Sequence, residues 1–183
     1  MDTLSLILSF IFGTTVGSFL NVVSLRFKTG VGIGGRSRCM SCSKELTWLE
    51  LIPLLSFFIQ RGSCRKCKSK ISWQYPLVEF LAGALFVLIF FKFPPLTYEN
   101  GIITLIQVII ACLILVIVVY DIKHKIIPDS FVYTFDTLAL ISLFVGGISW
   151  WHIPSLESLI AGPLLAIPFA LLWVISKGKW MGL

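Results

Sequence analysis

Two C-x-x-C pairs, "CMSC" at Cys39 and Cys42 and "CRKC" at Cys64 and Cys67, are separated by 21 residues. Each short turn can aim two thiolates at one ion, and four such ligands suit a tetrahedral zinc. Lysines and arginines surround both pairs, which favours the thiolate form and offsets the charge of a tetrathiolate centre. Four protein ligands leave no open position for substrate or water, so the ion would be structural. The same thiols could instead pair as disulfides or stand unconnected. The fifth cysteine, Cys112, lies in an apolar run and reads as a small packing residue.

The second chemical feature is "VVYDIKHKIIPDSF", residues 118–131, where an apolar run ends in Asp121 and a second carboxylate, Asp129, follows Pro128. A carboxylate near hydrocarbon is costly when ionised and tends to be paired, water-facing or functional. Two carboxylates sharing a site cannot both ionise readily, and such a dyad suits peptide hydrolysis: one activates water while the other holds the shared proton and polarises the carbonyl. The plain alternative is that Asp121 ends a helix in the headgroup region beside Lys123 and Lys125. Asp129 precedes another apolar run and reads as a helix cap.

These residues must be positioned by membrane helices. The 183 residues are 57% hydrophobic and 13% charged, with a mean hydropathy of +0.94. Helices of about 17–25 apolar residues can cross a bilayer because they satisfy their own backbone hydrogen bonds. Five such stretches are expected, at residues 4–25, 77–93, 102–120, 131–148 and 156–175. The fold class is therefore all-α and polytopic, with a first helix at 1–25, a loop at 26–76 holding the four-cysteine site, and the remaining helices at 77–183. The first stretch has an acidic front at Asp2 and no small-residue cleavage site after it, so it reads as a span and not as a signal peptide.

Ten basic residues against Glu45 and Glu50 give residues 26–73 a net charge of +8, more than the +6 of the whole chain. The positive-inside rule makes this loop cytoplasmic, and alternation puts residues 121–129 and the chain beyond Lys177 on the same side. Lys92 falls on the other side and can snorkel. Basic residues so close to spans point to topology and anionic lipid, with no nucleic acid partner. The apolar "WLELIPLLSFFIQRG", residues 48–62, could lie against the membrane surface or pack onto the cysteine pairs. The glycines of "TGVGIGGRS", residues 29–37, follow a span and not a strand, so they read as a connection and not a phosphate loop.

Together the motifs resemble the type IV prepilin peptidase family over nearly the whole chain. The first span carries "GSFLNVVSLR", Gly17 to Arg26. The loop carries the cysteine pairs and "LIPLLSFFIQRGSCRKCKSKISWQYPLVEFLAG", Leu51 to Gly83, and the third span ends in "YDIKHKIIPD", Tyr120 to Asp129. The resemblance implies a multi-pass bacterial inner-membrane aspartic endopeptidase that removes the basic leader of type IV prepilins or pseudopilins at the cytoplasmic face. It makes Asp121 the first catalytic aspartate and Cys39, Cys42, Cys64 and Cys67 the metal ligands; Asp129 belongs to the same motif, and its place before the next span favours a capping or supporting role. Many members also methylate the new N-terminus with S-adenosylmethionine, for which Glu79 and Gly83 in "EFLAG" are the positions of interest.

Three features depart from the family pattern. Met40 stands where a proline often follows the first cysteine, and Phe27-Lys28 stands where a proline often ends the first span. The second catalytic aspartate belongs to a Gly-Xaa-Gly-Asp motif, of which Gly182 and Leu183 look like the first two residues. The expectation is a chain that lacks half of the dyad and does not itself cleave peptides. The alternative class is a non-catalytic zinc-loop scaffold or adaptor; a transporter using Asp121 for protons or cations would explain neither the cysteines nor the long motif matches.

Overall fold

The computed structural model describes residues 2–27, 32, 34–145 and 155–177. Six helices are described: α1 (Thr3–Arg26), α2 (Leu55–Ile59), α3 (Gln74–Lys92), α4 (Tyr98–His124), α5 (Asp129–Phe144) and α6 (Leu156–Ser176), with a short 3-10 turn at Trp48–Leu51. Four of them, α1, α3, residues 100–124 of α4, and α6, are long and apolar enough to cross a membrane. The remaining expected span, 131–148, corresponds to α5, which has 16 residues; positions 146–148 lie outside the described residues. At about 1.5 Å per residue α5 would reach about 24 Å, short of a hydrocarbon core of about 30 Å.

The chain divides into two units, residues 1–139 and 140–183. The first is built on α1 and α3, which run antiparallel: Asn21 meets Tyr75, Gly17 meets Glu79 and Ala82, and Gly13 meets Gly83 and Phe86. Without water there is little hydrophobic drive between helices in lipid, so close backbone approach at small residues supplies the packing. Here that role falls to the G-x-x-x-G of "GTTVG". A Cβ on Gly13 would come within 2.8 Å of the Ala82 carbonyl oxygen and the Gly83 Cα. One on Gly17 would sit 2.8 Å from the Ala82 Cβ and 2.9 Å from the Glu79 Cα. Asn21, 1% exposed, ties the two helices by donating to the carbonyl of Tyr75 at 3.3 Å.

Helix α4 closes the unit. Leu20, Ala82, Leu115 and Val116 form the buried cluster, with Val23, Cys112 and Phe131 against it, so Cys112 is the packing residue expected. At one end Thr104 donates to the carbonyl of Phe93, joining the start of α4 to the end of α3. At the other end Phe27 packs on Tyr120 with ring centroids 5.8 Å apart and on Phe131 at 4.4 Å. The C-terminal ends of α1 and α4 therefore lie together, at the end of the unit from which the cysteine loop departs.

The second unit contains the end of α5 and α6. Ser155 caps α6 by accepting from the Ser158 backbone N–H at 3.3 Å, and Pro163 and Pro168 lie within the helix. The expected connections at 149–154 and 178–183 lie outside the described residues, as do positions 28–31 and 33 of the glycine-rich stretch.

The glycine contact gives a prediction with a built-in control. Gly17→Val is expected to destabilise the chain in micelles by about 3 kcal/mol, because two backbones must separate to admit the side chain. Gly101→Ala, where nothing lies within 4 Å of the added Cβ, is expected to stabilise α4 by about 0.5–1 kcal/mol. Unfolding of the two variants in graded denaturing detergent measures both signs.

Candidate functional site

The two cysteine pairs sit on backbone turns that match bond for bond. In the first, the Cys39 N–H donates to the Lys44 carbonyl at 2.9 Å, the Ser43 N–H to the Cys39 carbonyl at 2.9 Å, and the Leu46 N–H to the Ser37 carbonyl at 2.9 Å. In the second, Cys64 donates to Ser69 at 2.9 Å, Lys68 to Cys64 at 3.0 Å, and Ile71 to Gly62 at 2.8 Å. The residue after each second cysteine is left-handed, Ser43 at φ 54° and Lys68 at φ 59°. Two copies of one knuckle thus face each other, and all four Sγ atoms lie within 4.8 Å of one another.

The Cys39 and Cys67 sulfurs are 3.8 Å apart. A zinc bound tetrahedrally at about 2.3 Å from each sulfur sets its ligands about 3.8 Å apart. The four cysteines can therefore hold a metal ion, and the donor set and spacing fit zinc. The backbone N–H groups of Cys42 and Ser41, then the Ser69 hydroxyl, lower the Cys39 thiol to about 6. Ser69 lowers Cys67 too. The Lys44 N–H pulls Cys42 the same way, but desolvation and the neighbouring sulfurs outweigh it and push that thiol up to about 11. Such a cluster gathers negative charge that a cation would neutralise.

Ser69, which the sequence reading did not single out, is 3.1 Å from the Cys67 Sγ and 3.7 Å from the Cys39 Sγ. One hydroxyl is shared between two sulfurs. Ser69→Ala is expected to weaken zinc affinity by about 10-fold, at the low end of what outer-shell partners contribute, and competition with a chromogenic chelator reads it.

Two glutamates fix the loop, one within the loop itself and one from α3. Glu50, 6% exposed, accepts from Lys44 Nζ at 2.9 Å and from the Thr47 N–H at 2.9 Å. The Thr47 backbone bond and Lys44 lower its carboxyl to about 2 from 4.5. That tie contributes stability above about pH 4.5, and the contribution is lost as pH falls towards 2. Deeper, Glu79 Oε2 accepts the Leu54 backbone N–H at 2.7 Å. Leu54 has φ 60° and ψ −55°, and the Leu55 N–H returns to the Pro53 carbonyl at 2.6 Å. This is the strained form of the γ-turn, and it persists only where its surroundings hold it.

Between the loop and the ends of α1 and α3 lies a cavity of 780 Å³, lined among others by Ser18, Arg26, Arg36, Cys39, Tyr75 and Glu79. Arg26 closes part of its rim by donating to the carbonyls of Gly32 at 3.2 Å and Gly34 at 2.8 Å. Gly83, paired with Glu79 in the sequence reading, does not reach this cavity. It faces Phe10 and Thr14, with an added Cβ 2.7 Å from the Phe10 ring, and so serves helix packing.

Asp121 lies half-buried inside the last turn of α4, which continues to His124, past the expected end of the span at about residue 120. Its carbonyl accepts the Lys125 N–H at 2.7 Å, and Lys125 ends the helix in the left-handed conformation at φ 56°. Tyr120 stacks on His124, with centroids 4.3 Å apart. Asp129 is exposed and is the first residue of α5, so it places charge in the first turn instead of occupying the cap. The Phe27 contacts described above bring the start of the cysteine loop to the Asp121 end of α4.

Comparison with known proteins agrees with this architecture. Residues 11–93 match the model of the bacterial peptidase A24 N-terminal domain. The chain is similar to a prepilin leader peptidase/N-methyltransferase of Myxococcus xanthus, 41% identical over 122 residues that cover 66% of this chain and 35% of that protein. One from Bacillus subtilis is 31% identical over 144 residues, covering 78% and 56%. A type 4 prepilin-like proteins leader peptide-processing enzyme of Escherichia coli is 32% identical over 145 residues, covering 68% and 52%. The chain spans between about a third and somewhat over half the length of these relatives. No solved structure matches. The shared domain, the paired cysteines and the similarity beyond them agree: the chain belongs to the type IV prepilin peptidase family.

Proposed function

We propose that the chain is the N-terminal part of a prepilin leader peptidase acting at the cytoplasmic membrane face by an aspartyl mechanism, with Asp121 as its first catalytic carboxylate. The observation that carries this reading is the position of Asp121 in the last turn of a membrane-length helix, at the end of the unit where the cysteine loop begins. A prepilin with a basic leader in the cytoplasm and an apolar helix in the bilayer would present its scissile bond at that depth. Asp121 would then activate or orient the attacking water. The second carboxylate of an aspartyl dyad is supplied in the family by Gly-Xaa-Gly-Asp, a motif that does not occur in residues 1–183.

Cys39, Cys42, Cys64 and Cys67 would hold a structural zinc in the loop, whose net charge of +8 favours the cytoplasmic side. The cavity beside it has the size of a small-molecule site. It is where S-adenosylmethionine would deliver an activated methyl group, with Glu79 and the rim arginines meeting its charged ends. The test of the peptidase reading joins residues 1–183 to the remaining part of the Bacillus subtilis relative and supplies a prepilin in liposomes. Cleavage after the leader glycine is expected; a correctly inserted fusion that leaves the prepilin intact would overturn the reading. The 183-residue chain alone is expected not to cleave.

A further inference from the structure

The loop segment between the cysteine pairs has two unlike faces. Phe57, 8% exposed, packs against Trp73 with ring centroids 4.8 Å apart. On the other side of α2, Leu55, Phe58 and Ile59 are 58%, 61% and 66% exposed. Positions i, i+3 and i+4 share one helical face, so these three side chains form a single apolar surface. In a loop surrounded by water such a surface is costly.

Its depth is fixed by two contacts. The Leu54 N–H is held by the carboxylate of Glu79, in the second turn of α3. A helical side chain leans towards the N-terminus of its helix, so Leu54 lies beside the first two turns of α3. Those turns include Leu77, exposed on a helix of membrane length. Trp73, 69% exposed at the start of the same helix, is of the residue type that marks the membrane–water boundary. Helix α2 is thus pinned at the level where α3 enters the bilayer. Arg61 lies two residues beyond its end, and Arg65, Lys66 and Lys68 occupy the second knuckle.

We propose that α2 is an interfacial anchor, with Leu55, Phe58 and Ile59 inserted among the lipids around α1 and α3 and the basic second knuckle against anionic headgroups. Apolar insertion beside basic residues is the combination by which short amphipathic segments bind a membrane surface. The strained turn at Leu54 then has a purpose: it redirects the chain so that α2 lies down at the boundary.

The test uses the full chain in nanodiscs containing anionic lipid, with a benzophenone amino acid placed in turn at Phe58, Leu88 and Lys66. Leu88 is 63% exposed on α3 and reports lipid around a span; Lys66 is exposed on the knuckle. Irradiation followed by intact-mass analysis is expected to show lipid adducts at positions 58 and 88, and at 66, beside the headgroups, adducts of the anionic lipid only. A lipid adduct at 88 with none at 58 would overturn the proposal. So would cross-linking of position 58 mainly to a second copy of the chain, since the face would then be a protein interface.

Discussion

Asp121→Asn is expected to reduce prepilin cleavage by about 10⁴-fold in the chain joined to the remainder of a relative, because asparagine keeps the shape of the side chain but cannot accept the proton of the attacking water. The substitution leaves the local backbone intact. The bond from the Lys125 N–H is to the carbonyl of Asp121, not to its side chain, and the Tyr120–His124 stack does not involve it. A folding defect therefore does not mimic a catalytic one. Asp129→Asn is the internal comparison. Asp129 is exposed in the first turn of α5, where its charge favours the helix N-terminus by about 0.3–1 kcal/mol. Its loss is expected to leave the rate within a few-fold of the parent. Initial rates on one prepilin in one lipid decide the matter, and a larger loss at Asp129 than at Asp121 would remove Asp121 from the catalytic role.

The helices were readable from the sequence because hydrocarbon imposes a simple rule: apolar runs must be long and helical. The cysteine knuckles were readable because metal-ligand spacing is short-range and the ligand types are few. What was not readable depends on contacts between distant segments. The glycines at 13, 17 and 83 occur in unremarkable apolar sequence, and only the antiparallel register of α1 and α3 shows that each lies at a close approach. The G-x-x-x-G spacing was the available signal. Glu79 carried a sequence signal, an acid near the start of a span, but its partner is a backbone N–H 25 residues away at Leu54, which no pattern of side chains encodes. Phe27 stood out only as a departure from the family's proline, yet it joins the ends of α1, α4 and α5 through Tyr120 and Phe131. The end of α4 was placed a turn too early because the apolar pattern stops at Tyr120, while the helix continues through charged residues that can reach water.

Replacing Cys64 with serine is expected to release the metal and unfold the loop while leaving the paired helices in place. Cys64, 4% exposed, is the most buried of the four cysteines, so no water can easily take its position. Structural zinc contributes about 10–16 kcal/mol to folding in small zinc modules, far more than the few backbone bonds of each knuckle could replace. The α1–α3 contact, by contrast, rests on glycine packing and the Asn21 tie, neither of which involves the loop's sulfurs. Loss of the ion should therefore be local. Parent protein purified under reducing conditions is expected to carry about one zinc per chain and Cys64→Ser almost none. The variant should be cut rapidly by trypsin at the loop arginines while its helical circular dichroism falls only slightly. Cys112→Ser, away from the knuckles among packing residues, should keep the metal. A Cys64→Ser protein that retains its zinc and its protease resistance would show that the four thiols do not form one site.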